Sequence, residues 1–226
     1  MKKFLLILLL LYSAISYAEK SDNKFYLKLN IAANKVTSFK QYSHISPEIN
    51  AGFGYYLDDF CRIDIVGGNS IFSFDDKYMT YNEVVGESAT SGTKSVNYKA
   101  QTQYLMLNNY LNIISNDKFQ IYVSGGVGIG KIKEKITHFF SGLLINGDII
   151  SIPLTTEHYE SKGTKNFIYS LGIGTSIKIN SRVNLDLAYN YKDFGKPKYK
   201  IEDIPNIPPI KRYKGHNFSI GIRFDL

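Results

Sequence analysis

Gly125 and Gly130-Lys131 nearly spell a phosphate-cradling loop, in which backbone amides wrap an anion and the lysine reaches its outer oxygens. That chemistry also needs a hydroxyl after the lysine to hold a metal, and a helix whose first turn faces the phosphates. Ile132 stands at the hydroxyl position and no helix-forming segment follows, so nucleotide binding is not expected. The four histidines, His44, His138, His158 and His216, lack metal-ligand spacing, and no metal or cofactor is expected. A serine nucleophile needs a histidine within hydrogen-bond reach. His216 and Ser219 are three apart in an extended segment and point to opposite faces, and nothing holds His158 to Glu160 or Ser161 in a fixed geometry. The chain therefore reads as non-enzymatic, and its single cysteine, Cys61, cannot staple the fold.

Charge is placed with more order. Lys28, Glu48, Arg62, Asp64, Lys178, Asp186, Arg223 and Asp225, four cations and four anions, fall on one face of segments whose opposite face is almost uncharged. Charge shut away from water must be paired or hydrated, so this balanced set suits a salt-bridged, hydrogen-bonded interior. Glycines share the same face, as a narrow closed lumen requires beside long side chains.

The elements that would position these residues are eight segments of about ten residues, the length of a strand that crosses a bilayer at about 45°. The first, Phe25 to Asn34, sets Phe25, Leu27, Leu29 and Ile31 against Lys28, Asn30 and Ala32. The second, Glu48 to Leu57, sets Ile49, Ala51, Phe53 and Tyr55 against Glu48, Asn50, Gly52 and Gly54. The third begins near Cys61 and loses regularity toward Phe74; the fourth, Tyr98 to Ile113, is irregular because Asn109 shares a face with Leu105, Leu107 and Leu111. Phe119 to Lys131, Phe167 to Ile179 and Val183 to Tyr191 follow, and the last, His216 to Leu226, carries Phe218, Ile220, Ile222, Phe224 and Leu226 on one face.

Lys2 and Lys3 precede the apolar run Phe4 to Leu11, and Ser16-Tyr17-Ala18 puts small residues where a signal peptidase reads. Residues 1–18 are expected to be a signal peptide and 19–226 the exported domain, with the net charge falling from +7 to about +5 as the two lysines leave. No later stretch offers the roughly 18 apolar residues of a spanning helix, so membrane insertion must be by strands. Short connections (Asp58-Asp59, Ser115 to Lys118, Asn180 to Arg182) alternate with long ones, the arrangement of periplasmic turns and extracellular loops, with both termini periplasmic. Aromatics fall where membrane interfaces would lie: Phe25, Tyr55, Phe60, Tyr110, Phe119 and Phe224 toward the turns, Phe72, Tyr98, Phe167, Tyr191 and Phe218 toward the loops. The fold class is all-β, an eight-stranded antiparallel up-and-down transmembrane β-barrel.

Gly52-Phe53-Gly54-Tyr55-Tyr56 leading into Phe60-Cys61-Arg62-Ile63-Asp64, the run Tyr122 to Gly128, Tyr189-Asn190-Tyr191 before Asp193-Phe194-Gly195, and the terminal strand resemble the small outer-membrane barrels of the OmpA, OmpX and opacity-protein superfamily. The resemblance covers the whole exported chain and is greatest to rickettsial-type surface barrels described as adhesins. Leu226 is a departure, since the family usually ends on Phe, and here Phe224 lies two residues earlier. The resemblance implies a Gram-negative cell outer membrane, with outer-membrane lipid and lipopolysaccharide as neighbours.

The fourth long connection, Lys192 to Lys214, holds Lys192, Lys196, Lys198, Lys200, Lys211, Arg212 and Lys214 against Asp193, Glu202 and Asp203, and four prolines stiffen it. The third contains apolar runs on either side of Asn146-Gly147, which predicts a hairpin extending the fifth and sixth segments. Basic residues at the rim suit lipopolysaccharide phosphates. The sharper expectation is capture of a host surface protein or polyanion by Lys196, Lys198, Lys200, Lys211 and Arg212 with Phe139, Phe140, Leu143 and Leu144. Nucleic acid is not expected as a partner, and a monomer is. The alternatives are a small outer-membrane pore or transporter, which a lumen crowded with paired charge opposes, and a purely structural envelope barrel.

Overall fold

The computed structural model describes residues 24–36, 45–85, 88–146, 148–196 and 212–226; within 74–85, 88–96, 138–155 and at 157 the description is of the backbone. The expected signal peptide, 1–18, lies outside the described residues. The strands are β1 (Phe25–Val36), β2 (Ile45–Tyr56), β3 (Cys61–Val85), β4 (Ser88–Ser115), β5 (Phe119–Asn146), β6 (Asp148–Glu160), β7 (Thr164–Lys178), β8 (Val183–Gly195) and β9 (Tyr213–Asp225). Every ladder is antiparallel, and the order β1-β2-β3-β4-β5-β7-β8-β9 returns to β1 through pairs such as Lys28↔Arg223. Eight strands thus close a barrel, while β6 pairs with the distal part of β5.

Strand alternation sorts the residues onto two faces. Leu27, Leu29, Leu105, Leu107, Ile220 and Ile222 are about half exposed on the outside, and Tyr26, Glu48, Arg62, Asp64, Tyr104, Tyr122 and Arg223 are buried within. An apolar band around a ladder without edges leaves no backbone polar group facing hydrocarbon, which is how strands cross a bilayer. Three side chains shape the short turns in the same way. Asp58 Oδ1 accepts from the amides of Phe60 and Cys61, Asn116 Oδ1 from Lys118 and Phe119, and Asn180 Oδ1 from Arg182 and Val183. An acceptor that reaches the backbone two and three residues on fixes a tight reversal without help from tertiary packing.

The irregular fourth segment has a local cause. The register of β4 against β5 shifts between Asn112 and Ile114, so Ile113 is an extra residue and both isoleucines stay on the outside. Asn109, on the apolar face, donates to Cys61 Sγ at 3.5 Å across the ladder. Three aromatics expected at the membrane interfaces are corrected: Phe72, Tyr98 and Tyr110 are buried in the lumen, because they share the parity of Ser70 on β3 and of Thr102, Tyr104 and Met106 on β4.

The loop end is built as sheet. β3 and β4 pair as far as Val85↔Ser88, β4 and β5 as far as Ala89↔Ile145, and β5 and β6 as far as Asn146↔Asp148. The hairpin expected around Asn146-Gly147 is therefore present, and a second hairpin stands beside it. Pairing of β2 to β3 stops at Glu48↔Ser70. From the row Ser73↔Lys99↔Lys135↔Glu160 outward, β3-β4-β5-β6 leave one side of the barrel as a four-stranded arm, and about 13 residues of β3 at about 3.3 Å each give it a length of roughly 40 Å.

Inside the wall, large rings lie over cross-strand glycines. Tyr26 faces Gly54, Tyr104 faces Gly68 and Tyr122 faces Gly174 in register, and a Cβ added to any of these glycines would fall within the ring opposite. Gly54→Ala should therefore cost about 1–3 kcal/mol through overpacking, read as a lower urea midpoint of the detergent-folded barrel. Gly67→Ala, whose Cβ would meet nothing closer than 4.0 Å, should leave the midpoint unchanged. Equal effects of the two substitutions would refute the ring-over-glycine account.

Candidate functional site

The lumen is filled in layers that begin at the turn end. Arg223 donates from Nη2 to Ser176 Oγ at 2.7 Å, lies 3.7 Å from Asp186 and 3.9 Å from Asp225, and stacks over Tyr26 and Tyr56. Asp225 also accepts from the Tyr56 hydroxyl at 2.7 Å and from Asn184 Nδ2 at 2.8 Å. The next layer is organised by Asp64, which takes the Lys28 ammonium at 2.6 Å, Asn108 Nδ2 at 2.8 Å and the Tyr26 hydroxyl at 3.2 Å. Arg62 packs against Tyr110 and Tyr122, which meet edge to face with centroids 5.5 Å apart, and its guanidinium carbon is 4.6 Å from each ring centre. Above it, beyond a small cavity of about 60 Å³ edged by Lys28, Asn108, Asp186 and Lys192, Glu48 accepts from Lys192 at 2.7 Å, Tyr104 at 2.6 Å, Asn34 at 3.0 Å and Asn50 at 3.1 Å.

The loop end of the lumen is apolar instead. Val36, Phe72, Ile132, Ile136, Ile168 and Phe194 pack together with Tyr98 and Tyr213, whose hydroxyls meet the buried Glu134 carboxylate. Hydrogen bonds and ion pairs inside a low-dielectric lumen tie strands far apart in sequence, Lys192 to Glu48 across 144 residues and Asn217 to Asn34 across 183.

Of the eight charges assigned to the lumen from sequence, Lys28, Glu48, Arg62, Asp64, Asp186 and Arg223 lie within these layers, and Asp225 sits at their lower edge. Lys178 is exposed, the last residue of β7, on the rim of an open vestibule of about 600 Å³ at the turn end. Two members were missed. Lys192 was counted with the fourth loop, but β8 continues to Gly195, and the parity of Asp186 and Asn190 carries it inward. Glu134 follows Gly128, Gly130 and Ile132 inward because β5 does not end at Lys131. Carrying the alternation two or three residues past each expected strand end would have found both.

Among the loop residues, Lys196 is exposed just past β8, its amide bonded to Asn166 Oδ1 at 3.2 Å. Arg212 Nε donates to Asp193 at 2.5 Å, and that bond raises the guanidinium pKa above its ordinary value. Lys198, Lys200 and Lys211 lie outside the described residues, while Phe139, Phe140, Leu143 and Leu144 occupy arm positions of β5. The glycine run before Lys131 is continuous strand. His158 Nδ1 pairs with Thr137 Oγ1 at 3.2 Å, His216 Nδ1 with the Tyr189 hydroxyl at 2.6 Å, and Ser161 Oγ accepts from the Glu134 amide at 2.9 Å.

The family model described as outer membrane protein beta-barrel domain matches residues 4–224. A Rickettsia prowazekii protein named a putative adhesin is 32% identical, with 100% of each chain covered. A Rickettsia massiliae protein of the same description is 31% identical over 96% of this chain and 94% of its own. Among solved structures, the fold is similar to that of Neisserial surface protein A (NspA), with a TM-score of 0.50 and 12% identity over 89% of this chain and 97% of that one.

Lys28→Met leaves Asp64 charged, buried and short of its cation, and should lower stability by about 3–5 kcal/mol in urea titrations. Lys28→Met combined with Asp64→Asn removes the stranded charge and should recover more than half of that loss. A double variant no more stable than the single would show that the pair is not the organising contact of its layer.

Proposed function

The chain belongs to the outer membrane protein β-barrel domain family, and from that membership we propose that it is a non-enzymatic recognition module of the cell surface. In this reading residues 1–18 direct export and 19–226 form the barrel, with the turns and termini periplasmic and the arm outside the cell. The observation that carries it is the asymmetry of the two ends. One end is finished by three tight turns, whereas the other raises four strands well beyond what is needed to close a wall. The adhesin description of relatives about 30% identical along the whole chain supports the same reading. Ion pairs and hydrogen bonds that cross the lumen speak against a conduit, since a solute would have to break buried pairs to pass.

The partner is an acidic host protein or a polyanion, drawn by Lys196, Lys198, Lys200 and Lys211, with Arg212 already held by Asp193, and contacted further by the apolar positions Phe139, Phe140, Leu143 and Leu144 on the arm. Charge attraction is screened over about 8 Å at physiological ionic strength, so binding to heparin beads or host cells should weaken as salt is raised. Replacing Lys196, Lys198, Lys200 and Lys211 by Gln should weaken that binding several-fold with the heat-modifiable gel shift of the folded barrel retained. Unchanged binding would remove these lysines from the site. In planar bilayers the purified barrel should give no steady current, and large, stable single-channel steps would instead establish a pore.

A further inference from the structure

The outward face of β4 is apolar except at its centre. Ile113, Leu111, Leu107 and Leu105 are each about half exposed on the outside of the wall, and Asn109 stands midway along them, partly exposed. Two outward residues on either side, at about 3.3 Å per residue and a tilt of about 40°, leave about 10 Å of apolar wall above and below it. The carboxamide therefore lies near the middle of the hydrocarbon, where no water reaches it. A carboxamide offers two N–H donors and an oxygen with two acceptor sites. Among the described residues its hydrogen-bond partner is the Cys61 thiol, 3.5 Å from Nδ2 and 4.0 Å from Oδ1, and a thiol is weak both as donor and as acceptor. Thr175, also outward within the band, is by contrast satisfied by the Gln120 carbonyl at 3.0 Å.

In the ladder Asn109 stands between Ile63 on β3 and Gly125 on β5. At the lumen glycines a ring, side chain or neighbouring backbone fills the space that a Cβ would need, but a Cβ on Gly125 would meet only Leu171 Cδ2, at 3.6 Å. Packing within the barrel does not require this glycine. It leaves a shallow depression in the outer wall, bordered along β5 by Val123 and Val127 and across the ladder by Leu171. Where the walls of two barrels meet in a bilayer, their strands cross at roughly 80°, twice the tilt of each, so contact centres on one place. Small residues at that place decide how closely the two backbones approach.

We propose that the face centred on Asn109 and Gly125 binds a second copy of this chain, in place of the monomer expected from the sequence. The carboxamide needs a donor and an acceptor at its own depth in the bilayer, and lipid tails offer neither. A copy related by a two-fold axis along the membrane normal meets this need without further provision. Its own Asn109 arrives at the same height, and a carboxamide is complementary to itself, N–H to C=O in both directions. The depression at Gly125 lets the partner's wall come close enough for that exchange. The inference rests on the barrel lying in a bilayer, not on recognition by the loops or on which end faces outward.

The experiment follows the monomer–dimer equilibrium of the full barrel by sedimentation in density-matched detergent micelles. Asn109→Leu should weaken association about tenfold, the size of effect of a side-chain hydrogen-bond pair between spanning segments. Gly125→Leu, which fills the depression, should weaken it at least as much. Both substitutions face lipid, so both variants should keep the heat-modifiable gel shift and a urea midpoint no lower than that of the wild type. Cys61→Ala should associate like the wild type. In native membranes, Val123→Cys should give an oxidative cross-link of twice the monomer mass, while Ile222→Cys on the far wall, about equally exposed, should not. The proposal is overturned by a wild type that stays monomeric at every concentration, by wild-type association in both Leu variants, or by equal cross-linking at Val123→Cys and Ile222→Cys. A lower urea midpoint for Asn109→Leu would overturn it by assigning the residue to the fold of one barrel, and a cross-link to a chain of another mass would overturn it in favour of a different membrane protein.

Discussion

Closing a sheet of only eight strands leaves a lumen so narrow that each inward side chain must fit beside those from every other strand, in shape and in charge together. The shape condition is met by rings set over glycines, Tyr26 on Gly54, Tyr104 on Gly68 and Tyr122 on Gly174, since no Cβ is present where the ring must lie. Packing the rings brings their hydroxyls to the middle of the lumen, where Tyr26 reaches Asp64 and Tyr104 reaches Glu48. The charge condition then follows. A carboxylate so enclosed requires a cation, and Lys28 and Lys192 supply one to each. The glycines of the strands and the ion pairs of the lumen are thus two consequences of one closure.

The same closure explains how the arm departs from the wall. β5 is continuous over 28 residues, yet it pairs with β7 near the membrane and with β6 beyond it. The partner changes at Ser161 to Gly163, where the Ser161 amide donates to the Glu134 carbonyl and its hydroxyl accepts from the Glu134 amide. That pair of hydrogen bonds to one residue of β5 holds the second strand in place while its own path is broken, and the left-handed Gly163 absorbs the break. Glu134 is fixed by this on its backbone and by Tyr98 and Tyr213 on its carboxylate, so the point where the arm leaves is tied into the apolar cap of the lumen.

Parity was legible in the sequence, because lipid on one side and a tight lumen on the other impose opposite chemistries on adjacent residues. The terminal strand could be assigned face by face from Phe218 to Leu226 for this reason, and so could the charges at Lys28, Asp64 and Arg223. Strand ends were not legible. Past the membrane both faces of a strand are polar or mixed, alternation fades, and the ladder itself decides where pairing stops; Lys192 and Glu134 were lost to connections on that account. Aromatic residues misled for a related reason. Tyr98 and Tyr110 have the amphipathic character of an interface residue, but a tyrosine whose hydroxyl finds a partner is equally at home in a polar lumen, and only its parity separates the two.

One residue type shows how far parity governs function here. Lys192 and Lys131 both stand on strands near the loop end, one inside and one outside. Inside, the ammonium meets Glu48 at 2.7 Å, and its charge is spent on fixing which strands lie together. Desolvation of both groups offsets much of their attraction, whereas separating them would strand a buried charge, so the pair penalises a wrong strand arrangement more than it stabilises the right one. Outside, Lys131 faces Lys165 rather than a carboxylate, and the field of the pair extends from the surface uncancelled. A shift of one residue in the register of β5 would turn its lysines inward against a full lumen and Glu134 outward. The barrel therefore holds its outer charge pattern in place through the fit of its interior, and a change to the lumen that loosened the register would alter the surface without touching a surface residue.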